Sequence, residues 1–194
     1  MPPTAGDILR TALSDAQSVL AAFVADQAAM RATEAAGNAL MACYGAGCKA
    51  IICGNGGSLC DAAHFAEELT GRFRADRRPL PAIALTEPGH LTCTANDYGF
   101  EHVFARPVEA LGCAGDVLIV LSTSGNSANC LKACEAARAK GMTTIGLLGK
   151  GGGRLLGACD HAIVVPGATS DRIQELHMLV LHAWVEMIES AAVG

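Results

Sequence analysis

The sequence predicts a three-layer α/β/α domain, in which helices cover both faces of a five-stranded, parallel, doubly wound sheet, with a helical extension at the N-terminus. Three observations predict this fold class. Five short β-rich runs alternate with helix-like segments. Each run is apolar throughout, which is typical of parallel strands buried on both faces. Of the 194 residues, 51% are hydrophobic and 17% are charged, so the chain can bury a sizeable core.

The elements follow in a regular order. Apolar residues at three- and four-residue steps between Ala5 and Cys43 predict two opening helices, whose Ala-rich faces suit packing on more than one side. A long helix from Asp171 to about Ser190 closes the chain. The five predicted strands are Lys49–Cys53, Ala82–Leu85, Val117–Leu121, Thr143–Leu148 and His161–Val165.

The domain organisation follows from this order. The chain contains no internal repeat and no linker, so residues 1–194 are expected to form a single domain. Residues 1–46 would be helices used in packing and oligomerisation, and residues 47–194 would form the α/β core. The high apolar fraction in so small a domain also indicates buried contacts between subunits.

Composition excludes several classes of protein. Asp and Glu (19) outnumber Lys and Arg (14), giving a net charge of −5, which lacks the basic footprint of a nucleic-acid-binding protein. The nine cysteines are scattered and include no C-x-x-C spacing, so we expect reduced thiols and no structural zinc cluster. The N-terminus lacks the basic start of a signal peptide, and its best apolar run has only seven residues. We expect a cytoplasmic protein without a membrane span.

The first candidate loop, residues 54–58, has the sequence Gly-Asn-Gly-Gly-Ser and follows the first predicted strand. In an open parallel sheet, ligands bind beyond the carboxyl ends of the strands. Ser58 is placed to cap a helix that starts at Leu59, and Asp61 completes a Ser-x-x-Asp pattern. The glycines would allow a ligand to approach the backbone.

The second candidate loop, residues 122–127, has the sequence Ser-Thr-Ser-Gly-Asn-Ser and precedes a helix that runs to about Lys140. Hydroxyls and free backbone amides at a helix start form an anion cradle. Each loop alone is also compatible with a glycine-rich turn and an N-cap, but together they indicate one crevice. Neither is a Walker A loop or a dinucleotide-binding loop, which favours a small phosphoester over a nucleotide.

Candidate acid–base and metal-binding side chains lie on two predicted helices. His64 and Glu68 are four residues apart and share a helix face, so they could bind a metal or transfer a proton. An exposed polar pair is the alternative interpretation. On the closing helix, Gln174 could instead complete an Asp-x-x-Gln capping box. His182 lies among Leu, Val, Ala and Trp and could be a core histidine.

Five motifs together resemble those of bacterial phosphoheptose isomerases, which are sugar isomerase (SIS) domain proteins. The motifs are Cys53-Gly-Asn-Gly-Gly-Ser58, His64-Phe-Ala-Glu-Glu68-Leu, Asn96-Asp97-Tyr98-Gly99, Ser122-Thr-Ser-Gly-Asn-Ser127 and Arg172-Ile-Gln174-Glu-x-His-x4-His182. The resemblance covers residues 49–189 strongly and the N-terminal helices only in kind. The loop 86–95 departs from the family pattern, which leaves open whether it contacts the sugar and whether His90 faces the crevice or solvent.

The resemblance implies a flavodoxin-like SIS fold, a homotetramer with active sites between subunits, and bound zinc. It implies conversion of sedoheptulose 7-phosphate to D-glycero-D-manno-heptose 7-phosphate, in heptose precursor biosynthesis for lipopolysaccharide or related glycans. Neither nucleic acid nor a membrane is implied as a partner.

The resemblance also assigns roles to individual residues. Glu68 is the implied general base and His182 the implied general acid. The implied zinc ligands are His64, Glu68, Gln174 and His182. The implied substrate-binding residues are Asn55, Gly56, Gly57, Ser58, Glu68, Asn96, Asp97, Ser122, Thr123, Ser124, Ser127 and Gln174.

Physical chemistry supports the acid–base roles but constrains the metal. Isomerisation through an enediol needs a base at the acidic C–H and an acid at the carbonyl oxygen, which a carboxylate and an imidazole supply. Gln174 and His182 are eight residues apart, about 12 Å along a straight helix. Either they come from different subunits, or the site uses their full reach, or one is not a ligand. We favour the first arrangement.

Two other functions on the same scaffold are the alternatives. One is a non-catalytic SIS-domain protein that binds sugar phosphates or associates with the replication initiator. The other is an etherase acting on an amino-sugar phosphate. The presence of both Glu68 and His182 favours the isomerase over the non-catalytic protein, and the long helix from Gln174 to His182 argues against the etherase.

Overall fold

The computed structural model describes residues 1–192, so residues 193–194 of the predicted domain lie outside the described residues. Within residues 1–192 the helices are α1 (Ala5–Ala25), α2 (Gln27–Gly45), α3 (Gly57–Thr70), α4 (Pro88–Tyr98), α5 (Ala105–Leu111), α6 (Ala128–Ala139) and α7 (Ser170–Ala192). The strands are β1 (Ala50–Gly54), β2 (Ala82–Ala84), β3 (Val117–Ser122), β4 (Thr143–Leu148) and β5 (His161–Val164). Short 3₁₀ turns occur at Phe100–His102 and Gly153–Gly157.

The predicted sheet is confirmed. Its five strands are all parallel and lie in the order β2-β1-β3-β4-β5, which is the flavodoxin-like order of a doubly wound sheet. Each strand begins and ends within one residue of its predicted bounds. The sequence located these strands because runs that are buried on both faces are apolar throughout.

Two apolar clusters lie on opposite faces of the sheet and make the three layers. On one face, Ile52 of β1 shares a cluster with Leu40 of α2, Phe65 of α3 and Trp184 of α7. The neighbouring residue Ile51 points the other way, into a cluster with residues of α5 and α6. Because successive residues of a strand alternate in direction, each buried strand supplies both cores. Helices α3 and α7 therefore lie on the same face of the sheet.

The two N-terminal helices are confirmed and locally capped. Thr4 and Asp7 form a capping box at the start of α1, and the Asp26 side chain accepts hydrogen bonds from the first amides of α2. Within a single chain α1 is covered on little of its surface, so the expectation that it packs on more than one side stays a prediction about an assembly. Its only residue classed as buried is Phe23, and its apolar side chains Ile8, Leu9, Leu13, Leu20 and Val24 are all exposed.

Helix α1 is also long and apolar enough to cross a membrane, by length and composition alone. The sequence expectation of no membrane span rested on its longest uninterrupted apolar run and missed this property. The signal is weak, because core helices of soluble proteins and signal sequences pass the same test. What the structure adds is that this apolar helix is left almost entirely uncovered by its own chain.

Candidate active site

The glycine loop 54–58 begins at the end of β1 and starts helix α3 earlier than expected. Gly56 occupies the N-cap position at φ 58°, a left-handed conformation that glycine adopts without strain. The expected capping by Ser58 is wrong. The helix already begins at Gly57, no side chain caps it, and Ser58 lies inside its first turn with only 3% exposure. Asp61 therefore does not complete a capping box.

The expectation that the two loops share one crevice is supported by a contact between the first loop and the helix that follows the second loop. The Asn55 side chain donates to Asn129 Oδ1 at 3.0 Å, and Asn129 Nδ2 donates back to Asn55 Oδ1 at 2.8 Å. Asn129 lies in the first turn of α6 and is buried. This reciprocal amide pair holds the first loop beside the start of α6, the helix that follows the second loop. Sequence reasoning missed Asn129 because an amide in a helix carries no motif.

The hydroxyl-rich loop 122–127 is held by its own side chains. Ser122 Oγ accepts a hydrogen bond from the Gly125 amide and lies 3.1 Å from Ser127 Oγ. Ser127 occupies the N-cap of α6, yet its side chain makes no capping bond. Thr123 and Ser124 are half-buried. The loop therefore gathers four hydroxyls at the start of a helix, the arrangement expected for an anion cradle.

A backbone contact fixes the shape of this loop. Gly125 has φ 66°, and a Cβ there would collide with the carbonyl oxygen of Gly152. The Gly125 carbonyl accepts from the Leu155 amide at 2.9 Å, and Asn126 Oδ1 accepts from the Arg154 amide at 3.1 Å. The segment around the 3₁₀ turn at Gly153–Gly157 thus supports the loop from behind, and only glycine fits at position 125.

His64, Glu68 and His182 form a cluster on the facing sides of α3 and α7. His64 Nε2 lies 3.0 Å from Glu68 Oε1, and the His64 and His182 rings have centroids 5.2 Å apart in an edge-to-face arrangement. One ligand atom from each residue lies within 4.8 Å of the others. The expected meeting of a carboxylate and an imidazole from separate helices is confirmed. His182 is half-buried and is not a core histidine.

These three side chains fit a divalent transition metal. Two imidazole nitrogens and one carboxylate oxygen are ordinary zinc ligands, and three protein ligands leave a position for water or substrate. The Glu68 side chain is 15% exposed and that of His64 is 46% exposed, so the cluster can be reached from solvent. Among the described residues, this is the group of His, Cys, Asp and Glu side chains that could hold a metal.

Gln174 lies at the other end of the α3–α7 contact. Its Nε2 donates to Ser58 Oγ at 3.3 Å, and a Cβ at Gly57 would meet its amide group at 2.8 Å. Ser58 precedes His64 by six residues, about 9 Å along the helix axis. Within one chain, Gln174 is therefore anchored beside the glycine loop, about two turns away from the cluster.

Asn96 and Asp97 lie on α4, outside the two candidate loops. Asn96 Nδ2 donates to Asp97 Oδ1 at 2.8 Å, and Asp97 accepts a weak bond from the Cys93 thiol. Asp97 lines a cavity of about 630 Å³ between β2, α4 and α5. The description of 86–95 as a loop is wrong, because Pro88 and the Glu87 side-chain cap start a helix there.

His90 turns toward the protein on this helix. Its Nε2 lies 3.1 Å from the Val103 carbonyl oxygen, and its side chain lines the same cavity as Asp97. The sequence left open whether His90 faces the crevice or solvent. Its side chain instead packs against the Val103 carbonyl group. The departure of this stretch from the family pattern accompanies a local packing contact.

Two titratable groups with shifted pKa values lie on the helices that carry the cluster, Asp61 on α3 and His177 on α7. Asp61 Oδ2 is buried without a hydrogen-bond partner among the described residues, and burial raises the pKa of that carboxyl group, an effect that nearby His64 opposes. His177 of α7 is fully buried and neither ring nitrogen has a partner there. Burial lowers the pKa of His177 to about 4, so its imidazole is neutral near pH 7. His177 is therefore a neutral residue of the core. Glu175, two positions before it, forms an ion pair with Arg172 at the surface.

Two residues next to the cluster were missed by sequence reasoning. The Phe73 ring stacks on the His182 ring, with centroids 5.7 Å apart and an interplanar angle of 29°. The Arg77 guanidinium donates to the backbone carbonyls of Glu68 and Leu69. Both residues belong to an arginine-rich connection between α3 and β2 that resembles an ordinary polar loop in sequence.

Comparison with known proteins places this geometry in a family. The family model described as SIS domain matches residues 13–149. The phosphoheptose isomerase of Fusobacterium nucleatum subsp. nucleatum is 53% identical over 171 residues, which cover 88% of each chain. The solved structure of a phosphoheptose isomerase from Francisella tularensis superposes with a TM-score of 0.92 at 35% identity, covering 97% of this chain and 100% of that one.

A second solved structure agrees. The phosphoheptose isomerase of Neisseria gonorrhoeae gives a TM-score of 0.89 at 38% identity and covers 96% of this chain and 100% of its own. The similarity extends over the N-terminal helices as well as the α/β core. The chain thus belongs to the phosphoheptose isomerase family of SIS-domain proteins.

Proposed function

We propose that the chain is an aldose–ketose isomerase that converts sedoheptulose 7-phosphate to D-glycero-D-manno-heptose 7-phosphate through an enediol. The observation that carries this proposal is the meeting of Glu68 and His182 across two helices, with their functional atoms within 4.8 Å. Membership of the family supports the substrate. The curated relatives are isomerases, so the non-catalytic alternative is not favoured.

The acid–base pair supplies the two proton transfers that the reaction requires. Glu68, as general base, removes the proton from the carbon next to the carbonyl group. His182, as general acid, protonates the carbonyl oxygen, which allows the enediol to form. Glu68 then returns its proton to the former carbonyl carbon, while the hydroxyl on the deprotonated carbon gives its proton back to His182 and becomes the new carbonyl group. Both groups must reach the same two carbons, and their positions on facing sides of α3 and α7 meet that requirement.

The hydroxyl-rich loop 122–127 would bind the phosphate of the substrate. Its serine and threonine hydroxyls and the start of α6 donate hydrogen bonds to an anion and favour negative charge. This region binds the part of the substrate that does not react. Asn55, Gly56, Gly57, Asn96 and Asp97 remain proposed sugar contacts.

We further propose zinc as the metal of the cluster, held by His64, Glu68 and His182. When bound, it would act as a Lewis acid toward the oxygens of the reacting sugar. Gln174 would join these ligands only from another subunit or after rearrangement, because within one chain it is bonded to Ser58. The donor set and the proximity of the three ligand atoms support this assignment.

We also propose that active sites form between subunits of a homotetramer. Along α3, Glu68 lies eleven residues from Gly57, about 16 Å, which is longer than an extended seven-carbon sugar phosphate. That separation favours a site in which the glycine loop 54–58 of one subunit, with helix α6 bonded to it through Asn55 and Asn129, faces the Glu68–His182 pair of another. The uncovered apolar side chains of α1, including Leu9 and Leu13, supply an interface in such an assembly.

An α1 covered by a second copy is consistent with a cytoplasmic enzyme. In this proposal the apolar side of α1 is buried by protein rather than by lipid. The product would enter the synthesis of heptose precursors for lipopolysaccharide or related glycans.

Analytical ultracentrifugation of the parent chain and of the Leu13→Glu variant tests the assembly. We expect the parent to sediment as a tetramer and the variant as a smaller, inactive species. A monomeric parent chain with full turnover would contradict the intersubunit site.

The function itself is tested by incubating the purified chain with sedoheptulose 7-phosphate and following the product by NMR. We expect the signals of D-glycero-D-manno-heptose 7-phosphate to appear and to approach an equilibrium ratio from either direction. A sample that binds the sugar phosphate but shows no conversion, with zinc supplied, would favour the non-catalytic SIS-domain protein instead.

A further inference from the structure

We propose that Arg77 is a positioning residue for the isomerase reaction, because its guanidinium joins the backbone of Glu68 to helix α7, which carries His182. This inference rests on the proposed function of the Glu68–His182 pair. Arg77 lies in the connection between α3 and β2, outside the residues proposed to contact substrate or metal. Three sets of contacts support the role.

The first contacts are with the end of α3. The last carbonyl groups of a helix have no partner within it and need other donors. Arg77 Nη2 donates to the Glu68 carbonyl oxygen at 2.6 Å, and Nη1 donates to the Leu69 carbonyl oxygen at 2.9 Å. The backbone of the proposed general base is therefore bonded directly to this guanidinium.

The second contact is with α7. Arg77 Nε donates to Glu189 Oε1 at 3.2 Å, and the other carboxylate oxygen of Glu189 accepts from the Arg74 amide at 3.3 Å. The side chains of Arg77 and Glu189 are 2% and 8% exposed. Glu189 follows His182 by seven residues, which places both on the same side of α7. The ion pair thus lies two helical turns beyond the proposed general acid.

The third observation is the position of Glu68 and His182 between two polar connections that join α3 to α7. At one end of the α3–α7 contact, Gln174 donates to Ser58. At the other end, Arg77 joins the two helices. Glu68 and His182 lie between these two polar connections, and helices transmit displacement as rigid elements. Removing the Arg77 connection should shift the separation of the carboxylate and the imidazole, and displacements of about 1 Å can reduce turnover by up to 10²-fold.

A buried ion pair could instead serve stability alone, and a paired substitution separates the two roles. Replacing a buried ion pair with apolar residues of similar size is often neutral or stabilising. The double variant Arg77→Met/Glu189→Met should therefore still fold, because no buried charge is left unpaired, while losing the bonds to the carbonyls of Glu68 and Leu69. Arg77→Lys is the second variant: it keeps the charge beside Glu189 but lacks the planar fork of donors.

The experiment measures kcat and KM on sedoheptulose 7-phosphate for both variants, together with melting temperature. We expect kcat to fall about tenfold or more while KM stays within twofold, because the phosphate-binding loop is unchanged. Lys49→Met is the matched control. It breaks a different ion pair, with Asp116, and should lower the melting temperature without changing kcat of the folded enzyme.

The outcomes separate this inference from the proposed function. A parent chain without turnover would contradict the proposed function. If the parent is active, a folded variant that keeps the parental kcat would overturn the positioning role. This holds for Arg77→Met/Glu189→Met and for Arg77→Lys. Failure of both variants to fold would assign Arg77 to stability and would overturn it as well.

Discussion

The loop 122–127 and the Glu68–His182 pair form in different ways. The loop is made of consecutive residues, and its hydrogen bonds join Ser122, Gly125 and Ser127 within one turn of chain. The pair joins residues that are 114 positions apart, since 182 − 68 = 114, and depends on the packing of α3 against α7. The hydroxyls of the loop are gathered mainly by local hydrogen bonds, with support from the segment around Gly153–Gly157, whereas the pair depends entirely on the packing of two helices that are distant in sequence.

This difference predicts how each region should fail. Damage to the loop should weaken binding of the phosphate and leave the chemistry intact. Damage to the pair, or to the packing of α7, should reduce turnover or stability and leave phosphate affinity largely unchanged. The following predictions test that separation, from the largest expected effect to the smallest.

Substitution of the acid–base pair should have the largest effect. Glu68→Gln removes the base while keeping the shape of the side chain, and His182→Gln removes the acid. General acid–base groups typically contribute 10² to 10⁴-fold, so we expect kcat to fall about 10³-fold in each variant. Steady-state kinetics with sedoheptulose 7-phosphate and circular dichroism measure turnover and folding. The exposed neighbour Glu67 supplies the control Glu67→Gln, which should retain parental rates.

The burial of His177 on α7 should make the free energy of unfolding of the domain sensitive to acid. The pKa of His177 is about 4 in the folded chain against an ordinary 6.5, so the unfolded chain takes up a proton over this range and the folded chain does not. The contribution of this shift to the free energy of unfolding is complete above pH 6.5. It is lost as the pH falls toward 4, by about 3 kcal/mol. Urea unfolding at several pH values measures the loss. A His177→Leu variant with the same pH dependence would contradict this assignment.

Zinc should stabilise the pair region specifically. A ligand at 100 times its Kd that binds only the folded state adds about 2.7 kcal/mol to the free energy of unfolding. We expect zinc to raise the melting temperature of the chain after treatment with a chelator, and to bind at one ion per cluster in equilibrium dialysis. His64→Ala should lose both effects, whereas Ser124→Ala should keep them. Equal zinc binding by His64→Ala would remove this residue from the ligand set.

The smallest effect is expected in the loop. Ser124→Ala removes one hydroxyl of the cradle, and a lost hydrogen bond to a charged group is worth about 1.5–3 kcal/mol. We expect KM for sedoheptulose 7-phosphate to rise about tenfold or more with kcat within twofold. The inhibition constant of inorganic phosphate should rise in parallel. An unchanged KM, or a loss confined to kcat, would show that loop and pair are not separable in this way.

The same difference explains what could be read from the sequence. The strands were located because they are apolar throughout, and the loop 122–127 because its hydroxyls and glycine are contiguous. The proximity of His64 and Glu68 followed from helical spacing. That His182 would join them was implied only by the resemblance to a family, because no local pattern brings α7 to α3.

The misses share a physical cause. Ser58 has the sequence of an N-cap, but positive φ at Gly56 lets the helix begin before it. The stretch after Thr86 looked like a loop, although Glu87 and Pro88 start a helix. Asn129 and Arg77 act through partners 74 and 9 residues away, which spacing rules do not connect. The apolar residues of α1 predicted a packed helix, but the sequence pattern does not say which surface would cover it, and its own chain leaves it exposed.

Solvent proton exchange during turnover tests the acid–base pair most directly. The reaction is run in D₂O, and deuterium at the carbon next to the carbonyl group of the heptose phosphates is measured by NMR for the parent chain, Glu68→Gln and Glu67→Gln. We expect deuterium to enter with the parent and Glu67→Gln and to be absent with Glu68→Gln. Exchange or conversion at parental rates in Glu68→Gln would contradict proton transfer by this carboxylate.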